Sequence, residues 1–160
     1  MGDRRAGDRR ETSSNRTVSS GPSVERYLLR AILAHPAYLE MAAEADVGPD
    51  TFGDGRYREI FGTLTSIGAD ASPELVVRNL SPDAAAAYDE MLGEPPESIV
   101  DLERTYRDTV AALRIRELKQ KNRELQRLMS TARTEDEKNA LLAEKNANMQ
   151  KAAALRVHAP

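Results

Sequence analysis

Six cations stand within fourteen residues of this chain: Arg114, Arg116, Lys119, Lys121, Arg123 and Arg127. On a helix they would string positive charge along a rod, and contact with phosphates is the chemistry such a run performs best. No aromatic residue follows Tyr106, so the run offers no ring on which a base could stack. Glu117 and Glu124 are interleaved with the cations, and a solvated helix surface accounts for the run equally well. Other reactive residue types are scattered. There is no cysteine, which excludes thiol catalysis, disulfides and cysteine-based zinc sites. His35 and His158 are far apart, and His35, beside Pro36, reads as a cap or a partly exposed ring. Gly53-Asp54-Gly55-Arg56 is a turn without the strand–loop–helix setting that a phosphate cradle needs. The acids fall at helix starts and on polar faces. The sequence therefore offers no catalytic residue, no metal ligand set and no cofactor site.

The element that must position the cations runs from about Ser98 to Ser130. It follows Gly93-Glu94-Pro95-Pro96 and contains neither glycine nor proline. Leu102, Tyr106, Val110, Leu113 and Leu118 recur at helical steps. A single helix of that span is roughly 50 Å long, more than a small domain is wide. Its first half is apolar enough for a core, whereas residues 114–127 carry eight charges, so the helix is expected to start inside a body and leave it. Thr131-Ala132-Arg133 then forms a short link. Thr134 and Glu137 fit a capping box that opens a returning helix. Asn122, Asn146 and Asn148 fall at or near the seam of this hairpin, where a buried amide sets register.

The body reads as short helices. Ser23 is placed to cap the first, with Glu25 in its first turn and Val24, Tyr27, Leu28, Ala31 and Ile32 on its inner face. Pro36 starts a second helix. Asp54 caps a third, over 55–67, with Tyr57, Ile60, Phe61 and Leu64 inside and Gly68 as its left-handed stop. Ser72-Pro73-Glu74 and Ser81-Pro82-Asp83 repeat one start signal, a cap followed by proline and an acid. No segment alternates with period two. The fold class is all-α: a helical bundle followed by a long helix and a projecting C-terminal helical hairpin. The expected division is a disordered linker over 1–22, the bundle over 23–113, the hairpin over 114–156 and a tail over 157–160. Residues 1–22 are too polar to offset their ordering entropy and hold no apolar run of the kind a leader or membrane anchor needs.

Charge separates along the same lines. Residues 23–113 hold seven basic and seventeen acidic residues, a net −10, whereas residues 114–160 hold eleven basic and six acidic, a net +5. An acidic body with a basic hairpin steers association. A polyanion would be repelled by the body, so nucleic-acid binding is expected to be weak or indirect. Recognition of a protein partner through helical faces fits better.

Four stretches, SVERYLLRAILAHP (23–36), RYREIF (56–61), LRIRELKQKNRELQRL (113–128) and EDEKNALLAEKNANMQKAAAL (135–155), are similar in order and spacing to the C-terminal domain of bacterial DnaG-type primases. The resemblance spans about residues 23–156. It implies a bundle and hairpin that recruit primase to the hexameric replicative helicase of the DnaB type, in the cytoplasm at the replication fork. It places the helicase contact on Leu125, Arg127, Leu128, Met129, Arg133, Leu141 and Leu142. The same leucines would equally zip the two arms together. Some members also bind the acidic tail of single-stranded-DNA-binding protein near the first helix, where Arg26 and Arg30 stand. The parent enzyme would need zinc and magnesium, but its catalytic parts have no counterpart here and belong upstream, with 1–22 as the connecting linker. The N-terminal domain of DnaB-type helicases has a similar pattern and is the rival reading. A basic hairpin that binds nucleic acid is a third.

Overall fold

The computed structural model describes residues 22–157. Most of the linker expected over 1–22, and the tail residues 158–160 with His158, lie outside them. The described residues form seven α-helices and no strand: α1 (Pro22–Ala34), α2 (Ala37–Glu44), α3 (Gly55–Ile67), α4 (Pro73–Arg78), α5 (Pro82–Leu92), α6 (Leu102–Thr131) and α7 (Glu135–Val157). Short 3-10 turns at Pro49–Thr51 and Pro96–Ser98 lie between them.

Local chemistry explains most of the boundaries. Asp54 accepts the Arg56 N–H at the start of α3, and Gly68 ends that helix at φ 101°, a conformation that costs glycine little. Ser72 and Ser81 accept the N–H groups of Leu75 and Ala84, with proline next in line each time. The Arg56 side chain also hydrogen-bonds Asp54, which holds that carboxyl below its ordinary range despite partial burial. Two starts differ from expectation. α1 opens at Pro22, so Ser23 lies inside it. α6 opens at Leu102 because Asp101 accepts the Arg104 N–H as its cap, and the proline-led turn at Pro96–Ser98 takes up the preceding residues.

The core is built around α1, which packs on α2, α3, α5 and α6. Leu28, Leu29, Ala31 and Ile32 are fully buried, facing Tyr57, Ile60, Phe61 and Leu64 of α3, Tyr88 and Met91 of α5, and Tyr106, Val110 and Leu113 of α6. Phe52 rests on Phe61, and Tyr38 stacks on Tyr106 with ring centres 4.3 Å apart. Burial pushes the Tyr57, Tyr88 and Tyr106 hydroxyls above their usual range. Tyr27, expected inside, is half exposed, because the buried stripe of α1 runs through Leu28, Leu29 and Ile32 instead.

Beyond Leu113 the long helix leaves this core, and α7 packs chiefly on α6. From Leu118 outward, the residues of α6 and the following link that are less than exposed are Leu118, Asn122, Leu125, Met129 and Ala132; on α7 they are Leu141, Lys145, Asn148, Ala152 and Leu155. Both sets step alternately by four and three. The hairpin is thus a two-stranded antiparallel coiled coil. Its seam is thin: an amide layer in which Asn148 donates to Asn122 at 3.0 Å lies near the middle, and Lys145 occupies a seam position from which it donates to Gln126. Asn146 is exposed and not part of that layer. Thr134 accepts the Glu137 N–H, while the Glu137 carboxylate reaches back to the Arg133 N–H, one residue earlier than in the usual box.

A seam with only two leucines on each arm and a polar layer opens at low free energy, whereas the root of α6 is tied to the body by the contacts described below. Amide hydrogens between residues 120 and 150 are therefore expected to exchange well before those between 104 and 118. Equal protection along the whole of α6 in a hydrogen-exchange experiment would rule this out.

Candidate protein-docking hairpin

Two polar clusters at α1 govern what the candidate residues can do. The first holds the root of the hairpin. Glu25 lies one turn before Leu28 and Leu29 and two before Ile32, on the buried stripe of α1, and is only 1% exposed. Its carboxylate accepts the backbone N–H groups of Gly53 and Asp54 and a guanidinium N–H of Arg116 at 2.7 Å. Arg116 also donates to the Thr51 carbonyl at 2.8 Å. Nearby, Arg114 pairs with Glu117 at 2.6 Å and reaches the Asp46 carbonyl. Few large apolar residues lie between Arg114 and Glu124, so these two arginines, with buried Leu118, fix the direction in which the helix leaves.

The second cluster engages Arg26 and Arg30. Arg30 is 8% exposed; its guanidinium pairs with Glu94 at 2.9 Å and donates to Ser98. Arg26 pairs with Glu94 and lies 3.7 Å from Glu90. An acidic peptide seeking these arginines would have to displace carboxylates that already hold them.

The hairpin candidates divide by heptad position. Leu125 is buried in the seam, and Met129 and Leu141 are half-buried there. Leu128 and Leu142 lie outside it, 45% and 42% exposed. Arg127 projects into solvent, 80% exposed, with Glu124 beside it at 2.9 Å. Arg133 is exposed in the link between the arms. Thus Leu128, Leu142, Arg127 and Arg133 present themselves around the outer half of the hairpin, while Leu125, Met129 and Leu141 mainly join its arms.

Carboxylates of the same chain meet four of the six cations of the run, three of them within α6. Arg114 and Lys121 lie on Glu117, Arg127 on Glu124, and Arg116 on Glu25. Lys119 and Arg123 have no carboxylate partner among the described residues. With Ala112, Ile115, Arg116 and Gln120 they line a groove of about 500 Å³ on one face of α6. Among the described residues there is no cluster of three metal-ligating side chains, and no helix is long and apolar enough to cross a membrane. His35 is exposed, its ring edge-on to Tyr38. Sequence reasoning missed the Glu25–Arg116 connection; the spacing of Glu25 to the buried leucines signalled only that its carboxylate is buried. Comparison with protein-family models, curated proteins and solved structures finds no match to this chain.

Proposed function

We propose that this chain is a helicase-interaction domain of a bacterial DnaG-type primase, which recruits the primase to the hexameric DnaB-type helicase through its hairpin and modulates the helicase during priming. The observation that carries the reading is the hairpin itself: a thin-seamed coiled coil leaving an acidic body, with Leu128, Leu142, Arg127 and Arg133 exposed around its outer half. Exposed apolar groups beside cations suit a protein partner, where burial gives affinity and charge gives steering. The domain would act as an adaptor, with primer synthesis, zinc and magnesium belonging to the rest of the parent enzyme in the cytoplasm. An acidic tail of single-stranded-DNA-binding protein is a secondary partner whose contact with Arg26 and Arg30 must compete with Glu94. The helicase N-terminal domain is the rival identity on the same sequence pattern. Nucleic-acid binding by the hairpin is disfavoured by the pairing of four of the six cations of the run 114–127 with carboxylates of the same chain.

Reversing Arg127 and Arg133 together to glutamate tests the contact. Each is exposed, so the local cost to folding is a few tenths of a kcal/mol. Two interfacial charges lost at about 0.5–1 kcal/mol each weaken the helicase complex roughly tenfold, and the remaining complex is less sensitive to salt. Single-stranded DNA serves as the control, because phosphate contacts decay steeply with ionic strength. The intact chain is expected to retain helicase in salt that strips DNA. If the double variant held helicase undiminished while losing DNA, the nucleic-acid reading would replace this one.

A further inference from the structure

The side of α7 turned away from α6 is unusual for a solvated helix. Between Asn139 and Ala154 its only charges are Glu144, Lys145 and Lys151, and all three lie on or beside the side that meets α6. Over that stretch the rest of the helix surface carries no charge, yet its residues are exposed, including Leu142 at 42% and Met149 at 55% on the flank of the seam away from Glu144 and Lys151. Along this side Glu135, Leu142, Met149 and Arg156 recur every seven residues, with Asn139, Asn146 and Ala153 set between them. These positions step alternately by four and three, so α7 carries a second coiled-coil stripe that no element of the described chain covers.

The order of residues in this stripe names its occupant. Laid antiparallel on a copy of itself about Asn146, the stripe sets Leu142 against Met149 of the second copy, and Asn139 against Ala153. Asn146 meets its own counterpart on the two-fold axis. At both ends Glu135 meets Arg156 of the other copy. A parallel arrangement would instead oppose glutamate to glutamate and arginine to arginine. We infer that a second copy of this chain docks here, through an antiparallel α7–α7 contact with Asn146 at its two-fold centre. The contact is isologous, as a two-fold dimer requires. It is narrow and has a polar centre, so it forms and dissociates with concentration. It does not rest on the helicase reading, although Leu142 is common to both. A chain that dimerises and ignores helicase keeps this inference and loses that one.

Charge exchange in the full chain tests it by sedimentation equilibrium. Glu135→Arg and Arg156→Glu should each weaken the dimer by about tenfold or more, since each opposes like charges at both ends of the contact. The two variants mixed should form a heterodimer, and the chain carrying both changes should regain association. Glu135 also lies near Lys138, at 3.7 Å, and in the first turn of α7. Helicity by circular dichroism is therefore followed in parallel, and rescue by mixing cannot arise from repair of either helix. The chain contains no cysteine. Asn146→Cys should therefore form an interchain disulfide far faster than Arg123→Cys, whose thiol would lie on α6. A chain that stays monomeric at millimolar concentration would overturn the inference. So would single variants that dimerise like the parent, or equal cross-linking at the two cysteines.

Discussion

Glu25→Leu is expected to destabilise the chain by about 3–5 kcal/mol, the usual cost of removing one member of a buried ion pair. The size follows from what the carboxylate satisfies. It accepts two backbone N–H groups, from Gly53 and Asp54, and it neutralises Arg116. Leucine takes the acceptor from two backbone donors and the countercharge from Arg116, and unpaired buried donors cost far more than the net worth of the bonds they make. Glu25→Gln keeps an acceptor and loses the charge, so it should fall between the parent and leucine. Arg116→Met should cost less than Glu25→Leu, because Arg116 is partly exposed and the carboxylate keeps its two backbone donors. Combining Glu25→Leu with Arg116→Met should recover part of the loss, which a double-mutant cycle in urea would measure. A cost below about 1 kcal/mol for Glu25→Leu would place the carboxylate among ordinary surface groups. The pair also matters for how the chain is divided. A cut after Leu113 removes Arg116 and strands Glu25, so a body meant to fold alone must extend past Leu118, which is itself buried.

Much of the fold was legible because its signals are local. Asp54 and Gly68 bracket α3, and the two Ser-Pro-acid runs open α4 and α5. The charge change after Leu113 marks where α6 leaves the core. What escaped sequence reading depends on distant partners. Glu25 looks like a first-turn acid until one notes that the third, fourth and seventh residues after it are all buried. Its partner Arg116 is 91 residues away, and no local pattern connects them. Arg26 and Arg30 look free for the same reason: Glu94 and Ser98 reach them across the chain from either side of a proline pair. The four-three stepping of Leu118, Asn122, Leu125 and Met129 is present in the sequence. Only packing on α7 separates seam residues such as Leu125 from exposed ones such as Leu128 and Leu142. That separation narrows the candidate docking residues from seven to four.

The central proposal, that the outer hairpin carries the helicase contact, is tested most directly by shortening it in register. Deleting one heptad from each arm, Arg123–Met129 and Lys138–Glu144, keeps the coiled-coil phase and shortens the hairpin by roughly 10 Å. The body, the Glu25–Arg116 pair, Leu118, the Asn122–Asn148 layer and the link with Arg133 all remain. Six candidates, Leu125, Arg127, Leu128, Met129, Leu141 and Leu142, are removed. Co-elution with the hexameric helicase on size exclusion is the readout, with thermal unfolding of the body as the folding control. The shortened chain is expected to unfold like the parent and to elute apart from helicase. Co-elution as complete as that of the intact chain would contradict the assignment of the contact to the hairpin.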